Sequence, residues 1–243
     1  MKMPLVAGCC FALAMLACNG TKPGKNAANP ATNPNALLIQ MRKSACFGQC
    51  PVYTLEVFAN GRVDYRGTNH TDKMGLYRRQ VPTAELEQLV ADFRAAQLPQ
   101  YDSLYLSGLT DLQLTSLSFF QPDYSQTIKG DFERPPAVLD LEKQLVALAD
   151  NGEWVQEEAV VPPSAIPNEL IIDLATGENA ETWARQQDSQ YGLRPRKTLV
   201  PDQNIWLFEC ATQPIDPGRL LILIRRSSGV EAAEFNKRLQ QRD

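Results

Sequence analysis

Histidine is almost missing from this chain: there is one, His70, in 243 residues. A Ser–His–Asp hydrolase would have to rest wholly on that residue, and no Gly-x-Ser-x-Gly turn supplies its nucleophile. A metal centre would need more ligands than one histidine and a few cysteines provide. Excess charge of either sign is missing too. The 24 Lys and Arg against 28 Asp and Glu leave a formal net charge of −4. That balance gives no basic field for nucleic acid and no acidic tail. Hydrophobic content of 44% and charged content of 21% are ordinary for globular material.

What is present begins with compartment. Lys2 precedes an apolar run from Leu5 to Ala17, shorter than the roughly 20 residues a membrane span requires. Residues 1–17 therefore read as a signal peptide. The run ends in Ala14-Met15-Leu16-Ala17-Cys18, which resembles a bacterial lipobox, with Met15 where leucine is usual. The resemblance implies lipidation of Cys18 and attachment to the membrane through that N-terminal lipid. Ordinary secretory cleavage near Ala17 is the alternative. Asn19, by resemblance to sorted lipoproteins, implies the outer membrane, with the protein facing the periplasm. Residues 18–36 are polar and rich in proline and asparagine, the composition of a flexible tether.

Cys9 and Cys10 leave with the signal peptide, so Cys46, Cys50 and Cys210 remain for chemistry. Cys46-Phe47-Gly48-Gln49-Cys50 sits where a first strand, carrying Leu37, Ile39 and Met41, must turn back. A structural disulfide between Cys46 and Cys50 is expected, since an oxidising periplasm favours it and Gly48 permits the turn. The spacing is not Cys-x-x-Cys, which weakens a redox reading.

Residues 37–151 then read as an α+β domain. Tyr53, Leu55 and Val57 alternate, Asn60-Gly61 makes a tight hairpin, and Met74 to Val81 forms a third strand. Thr83 is placed to cap a helix whose buried face holds Leu86, Leu89, Val90 and Phe93. A second hairpin spans Leu114 to Lys129, and a second helix carries Val138, Leu141, Leu145 and Leu148. The expected architecture is an antiparallel meander sheet with two helices. Asp102, Asp111 and Asp131 fall in loops, where aspartates cap turns more often than they form acid–base pairs.

The sequence Cys46-Phe47-Gly48-Gln49-Cys50-Pro51-Val52-Tyr53, followed by Asn60-Gly61 and Tyr65-Arg66-Gly67, resembles domain of unknown function 6438. That family occurs in secreted or lipid-anchored bacterial proteins and carries no established activity, so the resemblance implies a fold unit and no mechanism.

Residues 152–165 read as a linker, with Gly152 and Pro162-Pro163, and Trp154 packing back onto the first domain. Residues 166–243 follow the order βαββαβ of a ferredoxin-like domain with both helices on one face of a four-stranded sheet. Asp216-Pro217 is its clearest helix start. This order, with Pro167-Asn168-Glu169-Leu170-Ile171-Ile172, Asn204 to Phe208 and Gly229 to Asn236, resembles the propeptide of subtilisin-like serine proteases. In that family the open sheet face docks on the protease and the C-terminal tail enters its cleft. The expectation here is a propeptide-like unit without a protease domain after it.

On the strand Asn204 to Cys210, Ile205 and Leu207 face one way and Trp206, Phe208 and Cys210 the other. One apolar face is left without helices and needs cover, either another protein or the first domain. The expected protein-binding residues are Trp206, Phe208, Asn236 and Arg238, and Cys210 is expected to be a buried free thiol. The expectation is a non-catalytic envelope lipoprotein without cofactor or metal, its C-terminal domain binding a protein. A subtilisin-like protease inhibited or chaperoned in trans is the candidate partner. The alternative is a structural envelope module whose two domains pack on each other.

Overall fold

The computed structural model describes residues 33–211 and 215–238. The expected signal peptide, Cys18, most of the tether and residues 239–243 lie outside the described residues.

The chain opens with β1 (Leu37–Lys43), β2 (Val52–Phe58), β3 (Arg62–Asn69) and β4 (Gly75–Gln80), each antiparallel to the one before. Helix α1 (Thr83–Ala95) follows, then the two-residue β5 (Leu104–Tyr105), the hairpin β6 (Thr115–Phe120) and β7 (Ser125–Gly130), and helix α2 (Pro136–Asp150). These strands and β8 (Val155–Glu158) form one eight-stranded sheet in the order β5-β7-β6-β1-β2-β3-β4-β8. Only the short β5–β7 pairing is parallel in this sheet.

Alternation of apolar residues along the strands sets which face meets the helices. Ile39 and Met41, Leu55 and Val57, Val63 and Tyr65, Leu117 and Phe119 point to one side. There they meet Leu86, Leu89, Val90 and Phe93 of α1 and Val138, Leu141, Leu145 and Leu148 of α2, the helix faces read from the sequence. Thr83 is the first helical residue and not the cap; Pro82 holds that place, with no side-chain cap.

One ionic cluster ties α2 to the sheet. Buried Glu142 takes Lys43 Nζ at 2.8 Å on one oxygen and Arg134 Nη2 at 2.8 Å on the other. The Thr115 hydroxyl donates to the same carboxylate at 3.1 Å.

Part of the stretch expected to be a linker is structured. Trp154 packs edge-on to Tyr65, with ring centroids 5.8 Å apart. β8 then pairs with β4 as the last strand of the sheet.

A second core begins at once. β9 (Ala165–Leu174), α3 (Ala180–Gln186), β10 (Arg194–Val200), β11 (Ile205–Glu209), α4 (Pro217–Arg225) and β12 (Val230–Lys237) follow. They form a four-stranded antiparallel sheet ordered β10-β11-β9-β12. Asp216 caps α4 as expected, its carboxylate accepting from the Arg219 amide at 3.0 Å, with Pro217 at the first helical position. α3 is short, ending at Gln186. Gln187 is already extended, and the Asp188 carboxylate caps a separate 3-10 turn over Ser189–Tyr191.

Candidate functional site

Two regions carry the residues singled out by sequence. At the β1–β2 turn, Cys46 and Cys50 are disulfide-bonded with Cα atoms 5.8 Å apart. The loop is held from outside as well. Gln113 Nε2 donates to the Ser44 and Pro51 carbonyls at 2.9 and 2.8 Å, and the Phe47 amide donates to the Asp111 carbonyl at 3.1 Å. The Phe47 side chain stands in solvent, 92% exposed.

The second region is the helix-free face of the second sheet. Pairing register places Ile205 beside Asp173, Leu207 beside Ile171, and Glu209 beside Glu169. Ile171, Ile205 and Leu207 are half-buried and form a short apolar stripe. Around it lie Lys197, opposite Leu207, and Glu234, opposite Ile171. Arg196 bridges Glu209 at 3.3 Å, and Asn236 Nδ2 donates to Glu169 at 2.5 Å.

The expected contact residues divide between the two faces. Phe208 is fully buried and packs edge-on against Trp183 of α3 at 5.5 Å. It belongs to the helix-covered core and presents no surface to a partner. Trp206 shares that face; it is half-buried against the core, and its indole N–H donates to Asn204 at 2.8 Å. The choice between faces fails because β11 is apolar on both sides, so alternation cannot tell inside from outside. Asn236 lies on the open face, and exposed Arg238 extends the β12 edge, its amide donating to the Ser164 carbonyl at 2.8 Å. Ile205 and Leu207 are the open-face residues that the expected contact set left out.

Cys210, at the end of this strand, is a free thiol that is 4% exposed. Burial pushes it up to about 12, with the Glu209 and Glu169 carboxylates adding to the shift. Such a thiol is not poised as a nucleophile at neutral pH.

One of the loop carboxylates does turn work. Asp131 accepts from the Ser107 amide at 2.7 Å, and Asp111 offers its main-chain carbonyl to Phe47. His70 is exposed at positive φ in the loop after β3. Among the described residues no group of three or more His, Cys, Asp or Glu could hold a metal ion, and no helix is long and apolar enough to cross a membrane.

Residues 37–149 match the family described as Domain of unknown function (DUF6438). The match spans β1 through nearly the whole of α2, the first sheet without its last strand. No curated protein matches the chain.

Proposed function

We propose that this protein is a non-catalytic lipoprotein of the bacterial envelope, anchored through Cys18 at the outer membrane, that binds another protein through its second domain. The observation that carries the reading is the apolar stripe of Ile171, Ile205 and Leu207, rimmed by charge, on the sheet face that no helix covers. The order β9-α3-β10-β11-α4-β12 with sheet order β10-β11-β9-β12 supports a ferredoxin-like arrangement for this domain. That arrangement is also what makes a subtilisin-like protease, inhibited or chaperoned in trans, the partner class we put forward. Docking would use Ile205 and Leu207, with Asn236 and Arg238 guiding the tail.

The test is inhibition of a panel of subtilisin-like proteases by the purified protein. Inhibition that Leu207→Asp abolishes, with the fold intact by circular dichroism, supports the reading. Absence of inhibition at micromolar protein rules out the protease partner. Hydrolytic activity of the protein itself would overturn the non-catalytic assignment.

A second reading has its own support: a structural module whose two domains pack on each other. The stretch after β8 bonds to α4, and Arg226 reaches both the Gln156 carbonyl and, at 3.9 Å, the Glu157 carboxylate. This packing uses the helix layer and leaves the apolar stripe uncovered, which favours the binding reading.

A further inference from the structure

On the helix-free face of the first sheet, one row of side chains runs straight across five strands. Lys129 of β7 pairs with Ser116 of β6, Ser116 with Arg42 of β1, Arg42 with Thr54 of β2, and Thr54 with Arg66 of β3. Residues paired across strands point to the same face, so the row reads cation, hydroxyl, cation, hydroxyl, cation. These five side chains line a groove of about 380 Å³.

The cations are not used up internally. Arg42 and Lys129 are exposed and form no salt bridge among the described residues. Only Arg66 has a partner, Glu158 at 2.9 Å. The nearest carboxylate along β2, Glu56, is engaged by the Gln40 amide at 2.8 Å. The adjacent row is internally satisfied: Ser118 bonds Thr127 at 2.8 Å, and Arg78 grips Asp64 at 2.8 and 3.2 Å. Unused donors are therefore concentrated in the one row.

The geometry points to a binding site for an anionic glycan. Each hydroxyl lies between two cations one strand to either side, the arrangement that holds one oxyanion. The two slots share Arg42, and with strands about 4.8 Å apart their centres are about 10 Å apart. A glycan with an acid group on every second sugar repeats on that scale, and its hydroxyls suit a groove floored by Ser116 and Thr54. An acidic peptide is disfavoured, because main-chain groups of the central strands β6, β1 and β2 are committed to neighbours and cannot add a strand. The site is separate from the protein-binding face proposed above.

Titration calorimetry of the whole protein with hyaluronan oligosaccharides, one carboxylate per disaccharide, tests this at low ionic strength. Binding is expected, weakening as salt is raised. R42Q and K129Q should each lower affinity about tenfold, as loss of a charge-assisted hydrogen bond does. T54V and S116A should lower it less, and K143Q, an exposed lysine on α2, should leave it unchanged. Circular dichroism confirms that each variant is folded. No hyaluronan binding overturns the proposal, and so does equal loss in K143Q. Equal affinity for neutral dextran removes the role of charge; equal affinity for polyglutamate or anionic phospholipid vesicles removes the glycan.

Discussion

The main-chain amide of Ala159 donates to the carbonyl oxygen of Gly218 at 3.1 Å, joining the chain just after β8 to the first turn of α4. The space over the Gly218 Cα is filled by the Ala159 carbonyl, so a Cβ built there would overlap it. Glycine-to-alanine changes in helices normally stabilise. Here the close approach reverses the sign, and Gly218→Ala is expected to cost about 1–3 kcal/mol. Urea denaturation measures it; a gain in stability would mean that α4 does not rest on this segment.

Glu142 pairs with both Lys43 and Arg134, all three nearly out of solvent. Removing it leaves two cations unpaired, so Glu142→Ala should destabilise the protein by about 3–5 kcal/mol. Because the cluster is buried, the loss should change little between low and high salt. A loss under about 1 kcal/mol would mark the cluster as solvated.

Opening the Cys46–Cys50 bridge should cost about 2 kcal/mol, the chain-entropy value for so short a loop. Denaturation of a Cys46→Ser/Cys50→Ser variant reads this directly. An unchanged midpoint would mean that the Gln113 and Asp111 contacts hold the loop unaided.

Cys210 sets an alkaline limit. Its thiol titrates near 9.0 when exposed and near 12 in the fold. Above about pH 9 the unfolded chain releases this proton while the folded chain keeps it, so stability is full below that pH and is lost as pH rises toward 12. Burial raises Tyr53 and Tyr65 in the same direction. The expected result is a loss of stability beginning near pH 9, its earliest part absent in Cys210→Ala. With residues 1–18 removed, Ellman's reagent at pH 8 should find one thiol after denaturation and none before.

Pairing of β8 with β4 protects part of the stretch between the cores. A glutamate-specific protease should cut after Glu153 well before Glu157 or Glu158, because cleavage in a paired strand waits on local opening. Equal cutting at all three would show that the strand frays.

These elements differ in how plainly the sequence announces them. The α1 and α2 faces, the Asn60-Gly61 hairpin and the Asp216 cap rest on local chemistry and can be read one element at a time. β8 cannot: Val155-Gln156-Glu157-Glu158 has one apolar residue, and only the open edge of β4 makes a strand of it. β11 fails for the opposite reason, being apolar on both faces. The cation row is hidden as well, since Lys129, Arg42 and Arg66 meet only once the register of five strands is known.

The family match stops at residue 149, yet the last strand of the sheet is formed by residues 155–158. A chain cut at the family boundary would end in α2 and leave the outer amides and carbonyls of β4 facing water. Such an edge invites a second molecule to complete it. The excised domain should therefore associate edge to edge more readily than the whole protein, and the smallest self-contained unit reaches past α2 to at least Glu158.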